Sequence, residues 1–171
     1  PETLFRVGST TKPMVGAIIM RLVQQGKLDL DAPIVQYVPW VRFSRRDAGR
    51  EITLRILLSH TSGLPTEYRA SSSSDPAMLE HSLREELPHY RLFSPVGRLW
   101  SYANPGVRLA AHIAERVSGM LFPDLLQKLV FDPLEMQRST CDPLQSMTFP
   151  IALPHKADEN VQLQVMRPLA N

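Results

Sequence analysis

At 171 residues and 43% apolar content the chain has the size and composition of one globular domain, while a formal charge of +2 and a pI near 9.0, with scattered basic residues, are too mild for a nucleic-acid-binding surface. A lone cysteine, Cys141, excludes an internal disulfide and offers no metal pair, and no apolar run reaches the length of a membrane span. Fifteen prolines favour helix starts and loops over central strands.

No stretch reads as a signal peptide. The chain opens on Pro1-Glu2-Thr3 without a methionine, so an N-terminal segment is expected to be missing from it. The strongest pattern lies between Phe5 and Gly26. Val15, Ile18, Ile19, Leu22 and Val23 recur at helical spacing, Gly26 stops the helix, and Gly8 lets the chain turn sharply before Ser9. Ser9 and Lys12 stand three residues apart and share a helix face, so the amine can lie beside the hydroxyl and take its proton. The plainer alternative makes Ser9 a helix N-cap and Lys12 a solvated first-turn charge.

Residues 27–33 are too short and mixed for a helix, and Ile34, Val35, Tyr37 and Val38 form an apolar turn closed by Pro39. Residues 42–50 are polar and basic and read as an exposed loop. Thr53 caps a brief helix through Ile56, Leu57 and Leu58, which runs into the hydroxyl-rich turn from Ser59 to Pro65. The four serines Ser71 to Ser74 suggest a mobile loop, after which Asp75-Pro76 starts a helix ending near Leu87. Residues 89–101 are irregular. Asn104-Pro105 repeats the cap-and-proline start and opens a helix through Val107, Ala110, Ala111, Ile113, Ala114 and Val117, closed by Gly119. A short helix is expected from Pro123 to about Val130, with Leu125, Leu126 and Leu129 inward. Beyond Asp132-Pro133-Leu134 the pattern fades, and only Val161, Leu163 and Val165 alternate as a strand would. There is no internal repeat and no linker dividing the chain.

A second candidate constellation is Tyr102-Ala103-Asn104. A phenol near an ammonium has its pKa lowered and can relay protons, and an amide can bind a substrate carbonyl and the lysine together. Alternatively Asn104 is only the N-cap of the following helix and Tyr102 a half-buried aromatic. His60 reads as a structural turn residue, since no Gly-x-Ser-x-Gly elbow surrounds any serine. His81, His89, His112 and His155 have no partner at ligand spacing, which argues against a metal site; Asp29 with Asp31 and Glu85 with Glu86 read as solvated charges. No glycine-rich phosphate loop is present, and no cofactor is expected.

Four blocks in order, Phe5 to Lys12, Gly26 to Pro33, Leu57 to Pro65 and Tyr102 to Gly106, resemble the serine β-lactamase and penicillin-binding-protein family. The branch is that of class C β-lactamases, D-alanyl-D-alanine carboxypeptidases and β-lactamase-fold esterases. Phe131 to Met136 is similar to a further family turn, with Glu135 where glycine is usual. The resemblance covers roughly residues 4 to 140. It implies a serine hydrolase forming an acyl-enzyme on an amide, β-lactam or ester carbonyl of a small-molecule or peptide substrate. Ser9 would be the acylated nucleophile, and Lys12 its proton acceptor or electrostatic activator. Tyr102 would relay the proton to the leaving group and later activate water, while Asn104 would hold Lys12 and the substrate amide. The Ser9 backbone N–H would supply half of an oxyanion hole. A periplasmic or secreted location is implied, or a cytoplasmic one for an esterase.

The sequence departs from the family at its third motif, Lys- or His-x-Gly on a strand lining the site. His155-Lys156-Ala157 follows a proline in a loop-like stretch and lacks the glycine. Residues 1–171 are therefore read as the helical part of a larger α+β domain, without the sheet strands of its two ends. By themselves they are expected to be inactive and poorly stable, because the apolar face of the Ser9 helix would normally pack against that sheet. A rival reading is a non-catalytic relative that binds or assembles without turnover. The presence of Ser9, Lys12, Tyr102 and Asn104 together argues against it, and an unrelated helical domain would need four ordered coincidences.

Overall fold

The computed structural model describes residues 2–66, 78–157 and 163–165, and its described elements are mostly helical. One 3₁₀ turn, Gly8–Thr10, leads into helix α1, Thr11–Gln24. Two short helices follow, α2 at Ala48–Glu51 and α3 at Leu54–Leu58, then α4 at Met78–Glu86 and the long α5 at Asn104–Ser118. Helix α6, Phe122–Leu126, passes directly into a π-helical turn, Gln127–Phe131, and α7 covers Pro143–Ser146. Strands β1, His155–Ala157, and β2, Leu163–Val165, form an antiparallel pair in which His155 faces Val165 and Ala157 faces Leu163.

Helix α5 is the hub, because its run of alanines lets neighbours approach closely. It packs against α1, α3, α4 and α6, and Leu109, Ala110, Ile113 and Ala114 along it are fully buried. The predicted stripe on α1 meets it from the other side, with Ile18 and Ile19 fully buried, Val15 and Leu22 nearly so, and Val23 half-buried. Each of the fully buried side chains contributes about 1.5–3 kcal/mol on leaving water. Gly26 ends the helix with φ 71, as its position in the pattern predicts. The expectation of a bare apolar face on α1 is thus corrected: the stripe is covered by the chain's own core. What α1 leaves in solvent is the opposite side, including Pro13, Ala17 and Met20.

Other expectations meet the structure unevenly. Thr53 caps α3, its Oγ1 accepting the Ile56 N–H at 3.3 Å. The segment 42–50 is not simply an exposed loop. Phe43, Ala48 and Gly49 are buried, and a Cβ at Gly49 would lie 2.9 Å from Val35 Cγ1, so the small Ala48-Gly49 pair lets the backbone press into the core. Its charges stay outside, where Arg45 forms a two-pronged pair with Glu51 at 2.6 and 2.9 Å. The helix expected over 123–130 begins at Phe122 and gives way to the π-helical turn, which buries Val130 and Phe131. After residue 134 the chain still makes α7, whose Asp142 caps the Leu144 N–H at 2.8 Å. His155 to Ala157 is strand β1 rather than loop, since pairing with β2 extends three residues too few to show alternation. The serine tract, the Asp75-Pro76 start and Val161 lie outside the described residues.

Glu135 occupies left-handed backbone, φ 54, in the exposed turn after the π-helical segment. A left-handed conformation costs an L-residue about 1–2 kcal/mol, partly offset by the greater chain entropy of unfolded glycine. Glu135→Gly in the intact protein is expected to raise stability by about 0.5–1 kcal/mol. Denaturant titration checks this, and an unchanged or lower midpoint would show that the turn carries no strain.

Candidate active site

Ser9 sits in the 3₁₀ turn ahead of α1, where Gly8 at φ 50 provides the sharp entry. It is not the helix cap. That position belongs to Thr10, and no side chain caps the helix there. The Ser9 hydroxyl instead receives two donors from different parts of the chain. Lys12 Nζ donates to Ser9 Oγ at 3.0 Å from the first turn of α1, and Tyr102 Oη donates to it at 2.7 Å from the segment before α5. Lys12 Nζ also lies 4.7 Å from the centre of the Tyr102 ring. Hydrogen bonding to Lys12 first, and to Ser9 second, holds the Tyr102 phenol below its ordinary 10.0. A lysine, a phenol of raised acidity and a serine hydroxyl in mutual reach form a proton-transfer set.

Tyr102 owes its place to a loop-on-loop contact rather than to a helix or strand. Residues 60–66 lie against residues 93–104, tied by Phe93 N–H to Gly63 O at 3.0 Å, Gly97 N–H to Thr61 O at 2.8 Å and Ser101 N–H to His60 O at 2.8 Å. Gly63, φ 77, is required here, because a Cβ would stand 2.5 Å from Ser94 O. Thr66 Oγ1 donates to the Tyr102 carbonyl at 2.7 Å, and Ala103 N–H donates to His60 Nδ1 at 3.2 Å.

Asn104 is the first residue of α5, preceded by Ala103 at the cap position, and its side chain makes no cap bond. Its Nδ2 donates to the Thr66 carbonyl at 3.1 Å, and no bond joins it to Lys12 among the described residues. The structure therefore brings Ser9, Lys12 and Tyr102 into direct contact and places Asn104 beside them through Thr66. His60 and Thr66 are the residues that sequence reading left out of the site. Thr66 carries no sequence signal at all, and His60 acts on backbone amides 41 and 43 positions away, which no spacing rule detects. Among the described residues no group of three or more His, Cys, Asp or Glu side chains is placed to hold a metal ion, and no helix is long and apolar enough to cross a membrane.

Residues 1–168 match the family model described as Beta-lactamase. Penicillin-binding protein 4 of Amycolatopsis lactamdurans is 25% identical over 154 residues, which is 90% of this chain and 40% of that protein. Esterase EstB of Burkholderia gladioli is 33% identical over 150 residues, 80% of this chain and 38% of the esterase. Among solved structures, the octameric penicillin-binding protein homologue from Pyrococcus abyssi superposes with a TM-score of 0.79 at 25% identity, covering 96% of this chain and 39% of that one. The class C beta lactamase from Rhodobacter sphaeroides gives 0.71 at 29% identity, covering 98% and 45%. The chain thus spans about two-fifths of these two curated relatives, 40% and 38% of their lengths. Its fold is that of β-lactamases and transpeptidases, an α+β class of which the described residues are mainly helical. By family model, by relatives and by superposition, the chain belongs to the beta-lactamase family.

Proposed function

We propose that the intact protein is a serine hydrolase that works through an acyl-enzyme on an amide, β-lactam or ester carbonyl, with Ser9 as nucleophile. The observation that carries this reading is the convergence of Lys12 Nζ and Tyr102 Oη on one hydroxyl oxygen, Ser9 Oγ, at 3.0 and 2.7 Å. Ser9 Oγ bonds to the carbonyl carbon while its proton passes to the Tyr102 phenolate or to Lys12. The lowered pKa of Tyr102 raises the phenolate fraction available for that step. The protonated phenol then gives its proton to the departing amine or alkoxide, and the C–N or C–O bond breaks to leave the Ser9 ester. In deacylation Tyr102 takes a proton from water, the water oxygen bonds to the acyl carbon, and Ser9 Oγ leaves and is reprotonated.

Within this reading the Ser9 N–H, in the 3₁₀ turn ahead of α1, supplies one oxyanion donor, and Asn104 binds the substrate amide. Residues 1–171 form the helical part of a larger domain whose sheet supplies the second donor. The share of the relatives' length that the chain spans supports that division.

A serine-reactive phosphonate or penicillin probe tests the assignment. The intact protein is expected to take up one label, and peptide mapping is expected to find it on Ser9. Labelling of another serine, with Ser9→Ala labelled as fully as the parent, would overturn the proposal.

A further inference from the structure

The two amides flanking Tyr102 end on one residue. His60 accepts the Ser101 N–H on its main-chain oxygen at 2.8 Å and the Ala103 N–H on its ring Nδ1 at 3.2 Å. Its imidazole also lies against the Tyr102 ring, with centroids 4.8 Å apart and planes tilted by 34°. The residue stands at φ 58, left-handed backbone that is uncommon for non-glycine residues and that histidine, like asparagine, adopts more readily than most. Ala103 is only 1% exposed, so its amide depends on the acceptor the ring supplies. Resting on the serine-hydrolase reading, we propose that His60 is the positioning residue of the site, its main-chain oxygen holding the backbone before Tyr102 and its neutral ring the backbone after it, so that Oη stays in reach of Ser9 Oγ.

The same bond makes the clamp sensitive to acid. Nδ1 accepts only while the ring is neutral, and a proton on Nδ1 would point at the Ala103 N–H and break the bond. Burial, and after it the charge of Lys12, hold the His60 pKa below its ordinary 6.5, so the clamp is closed at neutral pH and opens as pH falls through that lowered value. The charged and titratable neighbours of the ring are Lys12 of α1 and Tyr102 of the segment before α5.

Two substitutions that both tolerate the left-handed backbone isolate the acceptor. His60→Asn keeps a side-chain oxygen near the Nδ1 position, and His60→Gly removes it. In the intact protein His60→Gly is expected to lower kcat by about 10–100-fold with little change in KM, the scale of a small misplacement of a reacting group. It is also expected to speed amide hydrogen exchange at Ala103. His60→Asn should stay within about fivefold of the parent in kcat and keep Ala103 protected, since the acceptor rather than the ring sets the geometry. On acidification the parent should lose Ala103 protection beyond the ordinary pH dependence of exchange, and His60→Asn should not. Parental kcat and Ala103 exchange in His60→Gly, or His60→Asn as impaired as His60→Gly, would overturn the proposal. If no probe labels Ser9 the hydrolase reading falls by itself, while the exchange comparison at Ala103 still decides whether His60 clamps the Tyr102 backbone.

Discussion

Ser9→Ala in the intact protein is expected to lower turnover by about 10⁴-fold or more, and Lys12→Met by about 10³-fold, with the double substitution no worse than Ser9→Ala alone. The reason lies in what Lys12 touches. Its Nζ donates to Ser9 Oγ at 3.0 Å and lies beside the Tyr102 ring, so its proposed work is done on the nucleophile and on the group that deprotonates it. Once the nucleophile is gone that work has no object, and groups acting as a unit are not additive. Neither side chain is buried in the core, since Ser9 is exposed and Lys12 half-buried, so both variants should keep parental near-UV circular dichroism. Steady-state hydrolysis of an activated ester by the four proteins of the cycle checks this. A double variant falling by the product of the two single effects would mean that Lys12 acts elsewhere. A Lys12→Met enzyme within tenfold of the parent would remove it from the machinery.

Tyr102→Phe is expected to lower turnover by about 10²-fold or more while leaving the fold intact, the usual scale for an acid–base group. The ring and its packing against His60 remain, and only the hydroxyl that reaches Ser9 Oγ at 2.7 Å is lost. The sign of the pH effect follows from the same contacts. Because the phenol's pKa is depressed, the phenolate forms at lower pH than in a free tyrosine, and activity that depends on it rises with pH through that lowered value rather than through 10.0. Hydrogen bonding to Lys12 is the largest cause, so Lys12→Met should return the phenol towards its ordinary range. Ultraviolet difference titration of each protein against its own Tyr102→Phe counterpart reads this directly. A Tyr102 titration unchanged by Lys12→Met, or Tyr102→Phe turnover within twofold of the parent, would reduce Tyr102 to a packing residue.

The stability of the site rests on contacts of two kinds. Helix α1 is held by apolar burial against α5, which involves no titrating group, so Lys12 rides on a rigid element and Ser9 on the turn that leads into it. Tyr102 is held by hydrogen bonds between two loops, with Gly63 pressed on Ser94 and Thr66 bonded to the Tyr102 carbonyl. Perturbation of the loops should therefore move Tyr102 relative to Ser9 before it unfolds the chain.

What could be read from sequence was what repeats locally. The 3.6-residue stripe on α1 and the Gly26 stop were legible because they follow from helix geometry alone, as did the Ser9–Lys12 spacing and the Thr53 cap. The Asp142-Pro143 start of α7 carries the same kind of signal as Asp75-Pro76, but no apolar stripe follows it to mark a helix. Tertiary structure alone decided the rest. Burial of Ala48 and Gly49 depends on the gap left by Val35 and Val41, and β1 exists through its pairing with β2. Tyr102 meets Ser9 across 93 positions of chain, and His60 turns from a loop residue into a clamp through backbone amides that every residue but proline carries. Such contacts are set by how folded segments dock, and an amide's partner leaves no trace in the identity of the side chain beside it.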